Sequence, residues 1–191
     1  MGARITQLVR RWSKDQGGAA AVEFAMVAMV YLVLIFSALQ VALIYFLDQA
    51  VQTATNTSAR QMMTGQITAT THEQFRQAVC ANLPQPIFSC SNLAVDSEEA
   101  LNWAAMAPVV NTPVTPSYTS TTTLGVTTYA LNTSAGNYTA AVPGEVVILR
   151  VMYDFPAFNS PMLGMASQPN GTVLMQSAAV FQNEPYFGVT S

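Results

Sequence analysis

The sequence predicts an α+β protein. A long N-terminal helix able to cross a membrane should carry a small antiparallel β-sheet domain packed on its extramembrane half. Three observations predict this. Residues 19–47 form an apolar run with a single charge, Glu23. Residues 19–64 contain neither glycine nor proline. Residues 145–155 (EVVILRVMYDF) and 172–181 (TVLMQSAAVF) have the β-branched and aromatic content of strands.

The helix comes first in the chain. About 20 apolar residues suffice to span a bilayer, so residues 19–47 do so with length to spare. An uninterrupted helix over residues 19–64 would be about 69 Å long, against a hydrocarbon core of roughly 30 Å. A third or more of it should therefore project from the membrane, and Gly65 is placed to stop it. On the projecting part, Leu47, Val51, Ala54, Thr55, Ser58, Ala59 and Met62 fall at helical spacing on one face. This stripe of small and weakly apolar residues suits either a domain seated on its own helix or close approach of helices from neighbouring subunits. Packing within the chain is the simpler expectation.

Orientation follows from charge. Residues 1–18 carry Arg4, Arg10, Arg11 and Lys14 against Asp15, a net of +3. Residues 19–191 carry three arginines against nine acids, a net of −6. A basic segment ahead of the span, with Asp48 directly after it, places the N-terminus in the cytoplasm and residues 48–191 outside. The outer part is too poor in lysine and arginine to present a nucleic-acid footprint. Charged residues make up only 9% of the chain, against about a quarter in typical soluble domains. A cleavable secretory signal fits poorly, since its apolar region should be about 7–15 residues long.

Residues 14–24 read Lys-Asp-Gln-Gly-Gly-Ala-Ala-Ala-Val-Glu-Phe. A polar, basic leader ends in glycine, and an apolar helix begins with a carboxylate near its start. A carboxylate in a membrane helix costs a few kcal/mol, so it is normally paired or functional. Glu23 lies one turn inside the boundary, where it would also reach the headgroup region unpaired. The leader, the glycine and the long helix together resemble the processing site of type IV pilin-like proteins. The string Gly18-Ala-Ala-Ala-Val-Glu23-Phe24 is closer still to the opening of TadE-like proteins, the pseudopilins of the tight-adherence (Flp) pilus system. Residues 47–61, the cysteine pair beside Leu83-Pro84, and residues 181–186 are also similar to that family.

The resemblance implies several things. A prepilin peptidase would cut between Gly18 and Ala19, placing Glu23 fifth and Phe24 sixth in the mature chain. Glu23 would then set the axial register of one helix against the next, pairing with the new α-amine of its own or a neighbouring subunit. The partners implied are the peptidase, the major pilin and other minor pilins, the inner-membrane assembly platform and membrane lipid, with no nucleic acid. The function implied is initiation, priming or tip formation in a Tad/Flp-type pilus for adhesion. The competing expectation is an uncleaved single-pass anchor carrying a periplasmic binding or scaffold domain. The domains expected are a leader at 1–18, the span at 19–47, a helix extension at 48–66 and an outer domain at 67–191.

Within the outer domain, residues 71–83 predict a short helix capped by Thr71, with Phe75, Val79 and Leu83 on one face and Pro84 ending it. Residues 91–96 predict a short strand. Residues 97–106 predict a second helix, capped by Ser97 with Glu98 and Glu99 near its positive end. Residues 111–141, rich in threonine and free of charge, predict either a hairpin or a mobile loop. Cys80 and Cys90 outside the cytoplasm should form a disulfide, the alternative being two free buried thiols. Trp12 suits the cytoplasmic interface and Trp103 a small core.

No enzyme is expected. The lone His72 should be an exposed residue at the start of a helix. One histidine and two cysteines cannot build a four-ligand zinc site, so no metal or cofactor is expected. No phosphate-binding glycine loop or nucleophile elbow occurs. A catalytic reading would require His72 to meet outer-domain acids in a cleft.

Overall fold

The structure is a computed structural model describing residues 17–67, 69–123, 126–139, 142–156, 168 and 170–184. The chain divides into two compact units, Met1–Tyr45 and Phe46–Ser191. Arg4, Arg10, Arg11, Lys14 and Trp12 lie outside the described residues, as do Pro185 and Tyr186.

One helix, α1 (Gly17–Met63), runs through both units. Its end is built as the sequence implies. Gly65 has φ +67°, its N–H donates to Met62 O (3.0 Å), and Gln66 N–H donates to Gln61 O (2.8 Å). These two bonds satisfy carbonyls that the helix end would otherwise leave bare, and glycine adopts the left-handed turn without Cβ strain.

In the second unit all seven residues of the predicted stripe, Leu47 through Met62, are buried. Thr55 helps the face tolerate burial by donating its hydroxyl to Val51 O (2.8 Å). The next helix, α2 (His72–Ala81), is capped by Thr71, whose hydroxyl accepts the Gln74 N–H at 3.3 Å. Its apolar face, Phe75 and Val79, is fully buried. Asn82, just beyond α2, donates to Ser58 Oγ and Gln61 Oε1 of α1, both at 2.9 Å.

The sheet has three antiparallel strands in the order β1 (Leu93–Ala100), β4 (Val146–Phe155), β5 (Val173–Gln182). The predicted pair, β4 and β5, forms with strand limits shifted by one residue. A short 3-10 turn, Cys90–Asn92, leads into β1. Between β1 and β4 come α3 (Trp103–Asn111) and a separate hairpin of β2 (Tyr118–Thr123) and β3 (Val126–Leu131). The threonine-rich segment is thus a hairpin. Its outer part is exposed, and Leu131 at its base packs with Ala94 and Met152.

β4 is buried on both faces. On one face Val146 and Ile148 meet Met106 of α3, and Met152 meets the base of the hairpin. On the other, Val147, Leu149, Val151 and Tyr153 are buried, and α2 packs along the neighbouring β1. Tyr153 stacks edge-on against Phe88 (4.8 Å between centroids), and its hydroxyl accepts the Ser89 N–H at 2.8 Å. Central placement explains why β4 is apolar on both faces, broken only by Arg150 and Asp154, and does not alternate.

Two expectations need correction. The segment 97–106 is not a helix capped by Ser97. Residues 97–100 continue β1, pairing Ser97 with Leu149 and Ala100 with Val146. The acids that looked like helix N-terminal partners are cross-strand partners instead: Asp96 lies opposite Arg150, and Glu98 is next on the same face. The helix starts later, capped by Asn102, whose Oδ1 accepts the Ala105 N–H at 2.9 Å. Trp103 consequently sits on the first turn of α3 and is 56% exposed, while Met106 takes the core position.

Candidate functional site

The candidate site is the start of α1. The helix already covers Gly17, so the Gly18–Ala19 bond lies within regular helix at its first turn. Around Gly18 there is open space, with no atom within 4 Å of where a Cβ would stand. Glu23 follows Ala19 by four residues, one turn further on the same face and about 6 Å along the axis. A new α-amine at residue 19 would therefore sit beneath the Glu23 carboxylate, among the unsatisfied N–H groups of the helix start. Glu23 is exposed and pairs with none of the described residues. Phe24 is 74% exposed.

From Phe24 to Leu47 the helix is apolar apart from Ser37 and Gln40. Large side chains from Val22 to Phe46 are exposed, and an 18-residue window of mean hydropathy 2.5 has no part buried among the described residues. A helix that is hydrophobic on all faces belongs in lipid or in a bundle of like helices. By length and composition α1 is able to cross a membrane.

Cys80 and Cys90 are joined in a disulfide with Cα atoms 5.7 Å apart. It closes the segment between α2 and β1. Arg76 reinforces the closure by donating to the Cys90 carbonyl and to both Glu73 oxygens, at 2.9 and 2.6 Å. The Arg76 guanidinium, with help from the Gln77 amide, holds the Glu73 carboxyl down at about 2.

Residues 18–60 match the family model described as TadE-like protein. This is a TadE-like segment. It begins on Gly18 and takes in Glu23, the apolar span and most of the extension that carries the buried stripe. No curated protein and no solved structure matches the chain.

Outside the TadE-like segment the structure brings together residues that sequence reasoning did not connect. Arg150 Nη1 lies 2.9 Å from Asp96 Oδ2 and 3.5 Å from Glu98 Oε1, and Nη2 donates to the carbonyls of Val109 and Thr112. This buried cation therefore ties the C-terminal end of α3 to the centre of the sheet. An isolated arginine inside an apolar strand, together with acids spaced two apart in an earlier one, was the available signal.

His72 starts α2 as expected, but it is half-buried and its Nε2 meets Val95 O at 2.9 Å. It thus fastens the helix start to β1. Among the described residues no three His, Cys, Asp or Glu side chains converge.

Proposed function

We propose that the chain is a minor pilin of a Tad/Flp-type pilus, acting in assembly and not in catalysis. The carrying observation is that the match to the TadE-like family starts on Gly18 and continues through the unpartnered apolar helix. In this reading prepilin peptidase removes residues 1–18. The remaining helix stays in the inner membrane with the outer domain on the periplasmic side. Assembly moves it from lipid into a bundle of pilin helices, which supplies the partners its apolar faces lack. Glu23 and the α-amine of Ala19 set the axial register, because a paired carboxylate inside such a bundle is far cheaper than an unpaired one.

The test is Glu23→Ala in the producing cell. Pili counted by electron microscopy should be lost or sharply reduced, while the protein remains in the membrane fraction at normal abundance. Normal piliation would sink the assembly role and favour an uncleaved anchor carrying a periplasmic binding or scaffold domain.

A further inference from the structure

At one end of the sheet, three buried side-chain oxygens have no hydrogen-bond donor among the described residues: Glu99 Oε2, Glu145 Oε2 and Asn183 Oδ1. The strand register puts them on one face. Glu99 lies opposite Val147, as does Phe181 from the other neighbour strand. Glu145 and Asn183 are each two residues from this row, so alternation returns all three to the face of Val147.

A tight turn holds the arrangement. Pro143-Gly144 occupies its centre, Glu145 N–H donates to Val142 O (3.3 Å), and Gly144 has φ +90°. These are the features of a type II turn. Gly144 N–H then donates to Asn183 O (3.0 Å), and Asn183 N–H to Glu145 O (2.8 Å), locking residue 183 beside residue 145.

The amide of Asn183 is oriented by its other end. Its Nδ2 donates to Val142 O at 3.3 Å, so Oδ1 faces away from that carbonyl. Asn183 is only 1% exposed, and a carbonyl oxygen at that depth should have a donor or a cation. The charge balance points the same way. Glu99 and Glu145 lie within hydrogen-bonding reach of each other, so two acids share one buried corner. Among the described residues no arginine pairs with either of them. Arg150 is engaged by Asp96 and Glu98, and Arg76 by Glu73.

We propose that Glu99, Glu145 and Asn183 form a binding site for a hard divalent cation, calcium in particular. One shared proton joins one oxygen to one other and leaves the third bare, whereas a cation satisfies all three. Two carboxylates and an amide oxygen are the donors calcium takes, and its flexible coordination lets water complete the shell from the half-exposed side of the glutamates. Mg²⁺ demands a stricter octahedron and holds its own water more tightly. Three protein ligands imply an affinity in the range of extracellular calcium modules, roughly 0.1–1 mM. The site closes the β1, β4 and β5 ends onto one another. Its ligands lie far apart in sequence, which is why the sequence offered no metal site.

The experiment uses the full chain in detergent, stripped with chelator and held at constant ionic strength near neutral pH. Binding of radioactive calcium by equilibrium dialysis and the thermal midpoint are followed together. Wild type should bind one calcium per chain and melt at a higher temperature as calcium rises. Glu145→Gln should weaken binding roughly tenfold or more through the lost ligand charge. It should also melt higher than wild type without calcium, because the carboxylate repulsion is gone. A plain loss of packing would not produce that pair of opposite signs. Asn183→Asp, which adds a ligand charge, should bind more tightly and melt lower when stripped. Three results would overturn the site: no binding at about ten times the upper affinity given above, equal binding by wild type and Glu145→Gln, or a midpoint that responds only to acid. The last would identify a proton-sharing carboxyl pair instead.

Discussion

Leu34 and Leu47 lie on one unbroken helix and have opposite surroundings: Leu34 is 62% exposed and Leu47 fully buried. The membrane-compatible half of α1 is the more hydrophobic, yet almost none of it is buried among the described residues. The outer half mixes alanine, serine and threonine with glutamine, asparagine, two charged residues and a few larger apolar ones, and its predicted stripe is buried. Hydrophobicity along this helix therefore does not report burial by the fold. The first half has the length and composition to cross a membrane, and the second half carries the face that the outer domain buries.

The comparison breaks most severely if the outer domain is disrupted from within. Arg150→Ala would leave Asp96 buried without its cation and remove the bonds to the end of α3. Losing one partner of a buried pair costs about 3–5 kcal/mol. The outer domain of that variant should melt far below wild type by circular dichroism, while membrane insertion is unchanged. A small change would mean that Asp96 finds another donor.

The two leucines sharpen the comparison directly. Leu47→Ala should destabilise the outer domain by roughly 2–5 kcal/mol, the usual cost of truncating a buried leucine. Leu34→Ala should leave domain unfolding in detergent unchanged. Equal effects from the two would contradict the division of the helix into two environments.

The smallest effects concern two carboxyls of the outer domain that titrate in opposite directions. Glu73, held down at about 2 by Arg76, favours the folded state above the ordinary carboxylate range, and this contribution fades as pH falls toward 2. Glu99 is raised, so its contribution is present below the ordinary range and is lost as pH rises through its folded value. In calcium-free protein, carboxyl NMR titrations should show the two on opposite sides of 4.5, their common reference value. Arg76→Gln should return Glu73 toward that reference, while Glu73→Gln should change melting little, because Glu73 is solvent-exposed.

Legibility in the sequence followed the range of the interactions. The helix, its stripe, its stop at Gly65, the Thr71 cap and the β4–β5 pair rest on local periodicity or turn chemistry, and all appear. Gly18 and Glu23 stand five residues apart on one helix, a relation that local spacing alone fixes. The misreading of residues 97–106 came from treating Glu98 and Glu99 as local dipole partners, when the deciding partner, Arg150, is supplied by another strand. Trp103 was displaced by the same shift. The meeting of Glu99, Glu145 and Asn183 depends on strand order and register, which no local pattern encodes.

The central claim is that α1 is a processed pilin-type helix. Its most direct test is N-terminal sequencing of the membrane-extracted protein, produced with and without an active prepilin peptidase. A new terminus at Ala19 that appears only with the peptidase is the result the account predicts. An intact terminus in both preparations, with the peptidase shown active on a control substrate, would contradict it and leave α1 as a permanent anchor.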